Sequence, residues 1–173
     1  MAAWHVIADA ADECRGRVVG SLFDEPCALG KNGLILAEEG REGDGKTPMG
    51  SFSMRRVFYR PDREETPMTK LPVTPLSPSL GWCDDPSSTH YNRLVQLPFS
   101  GSYEKLWRDD HLYDLVIVIG HNDAPVVPGL GSAIFIHVAQ EDFKPTLGCV
   151  ALKAEALRHM LRLGEADDQL KIG

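Results

Sequence analysis

The sequence predicts a mainly β, α+β chain of mixed sheets with one principal helix, and three observations carry that prediction. Short apolar runs bounded by turn residues recur along the whole length, as strands do. Glycine and proline, at 16 and 12 residues, punctuate those runs. Only the stretch Lys153–Glu165 shows a clear apolar face at helical spacing. In chain order, Trp4–Asp9, Gly16–Phe23, Gly33–Glu38, Gly50–Tyr59, Asn92–Leu97, Asp114–Gly120 and Ala133–Ala139 each read as one strand, being rich in β-branched and aromatic residues. Arg60–Ser88 holds six prolines, which rule out a central strand or a long helix and predict a long surface excursion. Ser102–Leu106 with Trp107–Asp114 predicts a short second helix. In the principal helix Ala154, Leu157, Met160 and Leu161 share a face, and Gly164 is placed to end it. Asp168–Gly173 is short enough for a closing strand. No repeat or linker divides the chain, so residues 1–173 are expected to form one domain.

Composition narrows the function. A chain of 173 residues, 43% hydrophobic, can bury a sizeable core. Its 18 basic and 25 acidic residues give a net charge of -7, which argues against nucleic acid or an anionic membrane as the main partner. The opening residues carry neither a basic n-region nor a long apolar run, so a cytoplasmic protein is expected if Met1 is the natural start, and a periplasmic or envelope protein if an export signal precedes it. Four cysteines without a C-x-x-C pair argue against a structural zinc site or a disulfide framework. Cys14, Cys27 and Cys83 read as small buried hydrophobes.

Cys149 is different because of its surroundings. If Ala133–Ala139 is extended, Phe135 and His137 share one face and Ile134, Ile136 and Val138 the other. Cys149 follows His137 after a polar loop that can fold back and join thiol to imidazole. A thiol has a pKa near about 8.5, so nucleophilic work at neutral pH needs a base or cation beside it. A helix start near Lys153 would add partial positive charge. Gly148 leaves room for a substrate carbonyl, and the backbone amides around Gly148 and Cys149 can hold an oxyanion. Such a thiol is expected to be labelled well below the pH at which an ordinary thiol reacts. Metal binding is the weaker reading, since His121 is the sole obvious third ligand, and no metal or cofactor is expected.

Ile134–Val138 (IFIHV) followed by Thr146–Leu152 (TLGCVAL) resembles the His and T-x-G-C-V signature of the L,D-transpeptidase catalytic domain family, the YkuD type. Arg41–Phe52 (REGDGKTPMGSF) is similar to that family's K-T-P-x-G-x-F turn, while Gly81–Arg93 and Val118–Val138 resemble its branch with long insertions. The resemblance spans Leu29 to Leu152. It implies a β-rich fold cradling a catalytic strand, and a peptidoglycan enzyme whose partner is the stem peptide. By that resemblance Cys149 attacks the carbonyl of the diacid third residue, releasing D-alanine and leaving a thioester that water or an amine then resolves. His137 takes the thiol proton, Thr146 and Gly148 shape the oxyanion turn, His121 contacts substrate or the pair, and carbapenems acylate Cys149. Absence of an export signal favours L,D-carboxypeptidase action in murein recycling over 3-3 cross-linking.

The chain departs from the family pattern in three places. Its His-to-Cys loop is short. Ala151 stands where many members carry Arg, so the substrate carboxylate must meet another cation, with Arg93, Lys46 and Arg41 as candidates. Leu147 replaces the His often found before Gly-Cys, so a backbone carbonyl is expected to orient His137. Two rivals remain: a sortase-like transpeptidase, whose His lies further from its Cys, and a non-catalytic wall-binding module in which the thiol is packing.

Overall fold

A computed structural model describes residues 3–173; Met1 and Ala2, at the start of the segment read for an export signal, lie outside them. The strands are β1 (Ala3–Asp9), β2 (Asp12–Gly20), β3 (Phe23–Ala28), β4 (Leu34–Leu36), β5 (Thr47–Tyr59), β6 (Val73–Pro75), β7 (Leu80–Cys83), β8 (Leu94–Gln96), β9 (Tyr103–Lys105), β10 (Leu115–Ile119), β11 (Phe135–Val138), β12 (Val150–Leu152) and β13 (Gln169–Ile172). Helix α1 (Ala154–Leu163) lies between β12 and β13. The large sheet runs β10-β11-β12-β3-β2-β1-β13-β5, and β10 also pairs with β5, so the path closes on itself as a ring. Closure removes the unpaired edges that an open sheet would leave. β1 and β13 pair in parallel, bringing the two ends of the chain side by side.

Alternation along the ring strands separates two cores. Leu115, Ile117 and Ile119 of β10 and Ile136 and Val138 of β11 fill one core with Trp4, Val57 and Leu170. Val116 and Val118 of β10 and Phe135 of β11 point the other way, into a second core with Phe58, Leu80 and Trp82. The face shared by Phe135 and His137 is therefore the one expected from the sequence. Helix α1 buries Ala156, Leu157, Met160 and Leu161 in the first core, and Gly164 closes it by donating its amide to the Met160 carbonyl at 2.9 Å.

Three expectations need correction. Gly16–Phe23 is a hairpin and not one strand: Gly20 pairs with Phe23 across a two-residue turn in which Leu22 has φ 59°. A Ser-Leu turn lacks the Asn-Gly or Asp-Gly signal that marks such hairpins. The short second helix does not form. Tyr103–Lys105 is β9, paired with β7, and the following turn is held by side chains: Asp110 accepts from the Leu112 amide at 3.1 Å and the Arg60 guanidinium stacks on Trp107 at 3.7 Å. Such local bonds compete with a helix for the backbone. Nor is Arg60–Ser88 a mere surface excursion, because its prolines occupy turns and the edge strand β6 while Leu71, Leu76, Leu80 and Trp82 between them are buried. β7 from this stretch is the middle of a three-stranded sheet, β8-β7-β9, that covers the second core. Among the cysteines, Cys27 and Cys83 are buried as expected, whereas Cys14 is half-exposed with its thiol on the Lys31 carbonyl.

Candidate active site

β11 and β12 lie parallel, with Ile136 beside Val150 and His137 beside Ala151. That register puts Cys149, one residue before Val150, level with Phe135. Side chains two apart share a face, so the Cys149 thiol and the His137 imidazole stand diagonally on the same side of neighbouring strands. Both are buried, at 8% and 6% exposure, yet both line a cleft of about 510 Å³ between the ring and the covering sheet.

The turn before Cys149 is built around Thr146. Its hydroxyl accepts from the Gly148 amide at 3.1 Å and donates to the Cys149 carbonyl at 2.7 Å. Thr146 also bridges to the Leu29–Lys31 segment through both backbone groups. Gly148 has φ 137°, and a Cβ there would sit 2.7 Å from the Lys46 carbonyl, so glycine is required by the backbone and by that close approach. With the Gly148 amide committed to Thr146, the Cys149 amide is the next donor along the turn.

The resting thiol is held by the backbone. Sγ donates to the Ala133 carbonyl at 3.2 Å and accepts from the Phe135 amide at 3.3 Å. His137 Nδ1 meets the Val138 carbonyl at 2.9 Å, as expected for a chain with Leu147 in place of His. Since a carbonyl only accepts, Nδ1 carries the proton and the Nε2 lone pair is left to act as a base. Burial pushes the thiol up to about 12, with the Phe135 amide opposing and the Glu104 carboxylate adding to the rise. Burial likewise lowers His137 to about 4. In the free protein the pair is thus a neutral thiol beside a neutral imidazole.

Burial of the resting thiol works against the expectation of easy labelling. Thiolates are favoured where positive charge is near, and no cation is among the groups that shift the Cys149 thiol. The helix start does not provide it: β12 separates Cys149 from α1, and α1 packs in the first core while Cys149 faces the second.

The other sequence candidates divide. His121 lines the cleft, 4% exposed, with neither ring nitrogen hydrogen-bonded, Phe52 edge-on at 5.7 Å, and its pKa lowered by burial to about 4. Lys46 and Arg41 also line the cleft, on the loop whose amides Asp44 accepts, while Ala151 lies beside His137 and supplies no charge. Arg93 is exposed and does not line it. Sequence reasoning missed Glu104, Arg108, Tyr113 and Lys144, all on the cleft wall. Tyr113 sets its ring edge against His137 at 5.4 Å and donates its hydroxyl to Glu104. Asn92 was also missed. It accepts from Trp82 Nε1 at 2.9 Å and the Ala133 amide at 3.1 Å, and donates to the His121 and Asn122 carbonyls at 3.0 and 2.8 Å. Nothing in the spacing of these residues marks them, because they meet through the covering sheet.

Fold and site together describe a closed β ring carrying a buried Cys–His cleft. The family model for the L,D-transpeptidase catalytic domain, YkuD, matches residues 6–171, and the chain belongs to that family of peptidoglycan enzymes. No curated protein and no solved structure gives a match.

Proposed function

We propose that the protein cleaves the bond between the diacid residue and D-alanine of tetrapeptide stems through a thioester on Cys149, with water as the acceptor. The observation that carries this reading is the common face of Cys149 and His137 on adjacent parallel strands lining one cleft. Substrate entry would turn Sγ from the Ala133 carbonyl toward His137. Nε2 takes the thiol proton as sulfur attacks the carbonyl carbon, and the oxyanion meets the Cys149 amide. Collapse breaks the C–N bond, the imidazolium returns its proton to the leaving amine, and D-alanine departs. Water then attacks the thioester, His137 accepts its proton and gives it to the departing sulfur, restoring the thiol and freeing a tripeptide. Lys46 and Arg41 are the cations offered to a substrate carboxylate, and His121 a substrate contact.

Two features support water over an amine acceptor. The cleft volume of about 510 Å³ falls in the range of sites for one small ligand. A second stem would also have to reach a thioester formed on a largely buried sulfur. Incubating the protein with tetrapeptide stems and reading products by mass tests the proposal: tripeptide is expected, and cross-linked dimer as the main product would reassign it as a cross-linking transpeptidase. A carbapenem is expected to acylate Cys149 alone, and an adduct mapped to Cys14, Cys27 or Cys83 counts against the assigned nucleophile.

A further inference from the structure

Glu104 sits where a catalytic thiol is least helped by it. It lies opposite Trp82 in the β7–β9 pairing, on the face of the covering sheet that packs against the ring, where Trp82 meets Phe135 edge-on at 5.1 Å. One carboxylate oxygen, Oε1, accepts from the Tyr113 hydroxyl. The other, Oε2, has no hydrogen-bond partner among the described residues, and the side chain lines the cleft that also holds Cys149. No ion pair neutralises it among the described residues. The Arg108 guanidinium acts on it through space, but both of that group's bonds, at 2.9 and 2.6 Å, go to Asp110.

A carboxylate lining the same cleft as a nucleophilic sulfur opposes the thiolate, and its negative charge adds to the rise of the Cys149 pKa, while burial raises the pKa of Glu104 itself and makes a cation partner the more favourable. The opposition disappears once a cation pairs with the carboxylate. Charges of both signs line the cleft, and most are engaged: Asp44 accepts from the Arg41 and Lys46 amides, Glu42 from the Tyr91 and Ser132 hydroxyls, and Arg108 pairs with Asp110, which leaves the Lys46 and Lys144 ammonium groups and Glu104 Oε2 to meet a ligand. A substrate with a carboxylate for the lysines and an ammonium for Glu104 satisfies both.

We propose that Glu104 is a specificity-determining residue that selects stem peptides bearing a free ammonium on the third residue, and that seating this ammonium on Oε2 releases the Cys149 thiol from the carboxylate's field. The proposal rests on the peptidase reading of the cleft. It gives the ammonium a part in the chemical step as well as in binding, because charge neutralised at Glu104 is charge no longer opposing the thiolate.

The test separates binding from turnover. Two synthetic tetrapeptides, identical except that the third residue's side-chain amine is free in one and acetylated in the other, are titrated by calorimetry into the C149A protein, with and without Glu104→Gln. That substitution keeps an oxygen for the Tyr113 hydroxyl. The free-amine peptide should bind at least about tenfold more tightly to C149A, as a hydrogen-bonded charge pair allows. The preference should collapse toward unity with Glu104→Gln and return in part with Glu104→Asp. In protein that retains Cys149, Glu104→Gln should also move the pH profile of iodoacetamide labelling of Cys149 to lower pH, which a purely structural role would not do. A preference that survives Glu104→Gln, equal binding of both peptides by C149A, or binding of neither overturns the proposal. Turnover by the unmutated protein is scored apart: an amine preference without any cleavage sinks the peptidase reading and leaves the role of Glu104 in place.

Discussion

Thr146 shows how one hydroxyl can serve the fold and the chemistry together. It closes the turn on both sides of Leu147 and Gly148, joining the Gly148 amide to the Cys149 carbonyl. Thr146→Val removes the bridge while keeping the shape, and leaves a buried amide and carbonyl short of a partner. The expected cost is about 1–3 kcal/mol in thermal or denaturant unfolding, with a loss of turnover from a misplaced sulfur. A variant with unchanged stability and rate would show that the turn holds without it. Cys149→Ala should abolish turnover with the fold retained, and His137→Ala should lower kcat by about 10²-fold or more. A small deficit with an unchanged pH profile would make His137 structural. At these positions the sequence is informative: Leu147 in place of His predicts a backbone carbonyl on His137, and the Val138 carbonyl is that partner. Glu104 and Tyr113 are not legible in the same way. Their meaning comes from a contact between β9 and the segment before β10, and neither spacing nor residue type signals it.

The covering sheet β8-β7-β9 is the element that turns an exposed face of the ring into a cleft. Asn92 fastens it, using its full set of side-chain bonds on Trp82, Ala133, His121 and Asn122. Asn92→Ala would strand buried donors and acceptors on both sides of the site, at about 1–3 kcal/mol for each left unpaired. Because the Ala133 carbonyl is the thiol's partner, the same change should also speed iodoacetamide labelling of Cys149. Unaltered labelling would uncouple the sheet from the thiol. Helix α1 makes a contrasting case. Leu157 is fully buried in the first core, away from the cleft, so Leu157→Ala should cost about 2–5 kcal/mol while kcat of the remaining folded protein stays within about twofold. Apolar spacing predicts the helix and its buried face, since that face depends on local periodicity. The direction in which its positive end points depends on which side of the ring it packs.

The ring as a whole buries two histidines in neutral form, and this sets its response to acid. His121 and His137 are both lowered by burial from 6.5 to about 4. An unfolded chain takes up those protons as pH falls below 6.5, while the folded chain resists until about 4. Stability is therefore full above pH 6.5 and declines as pH drops toward 4. The melting temperature should fall across that window. It should fall less steeply in His121→Phe, which removes one of the two groups. An equal slope in the variant would mean that His121 titrates normally in the folded protein.

Periodicity along the chain was enough to identify many of the strands, the amphipathic helix and the shared face of Phe135 and His137, while the Cys149 motif was recognised by its resemblance to the family. These are properties of neighbours in sequence, because side-chain direction follows backbone period over a few residues. Ring closure through β10 and β5, the covering sheet whose middle strand comes from a proline-rich stretch, and the company kept by the thiol all depend on segments far apart in the chain. The charge state of Cys149 belongs to the second group. Its thiol is neutral at rest because burial, the Glu104 carboxylate and the absence of a facing helix end act together, and those conditions exist only once the strands have packed.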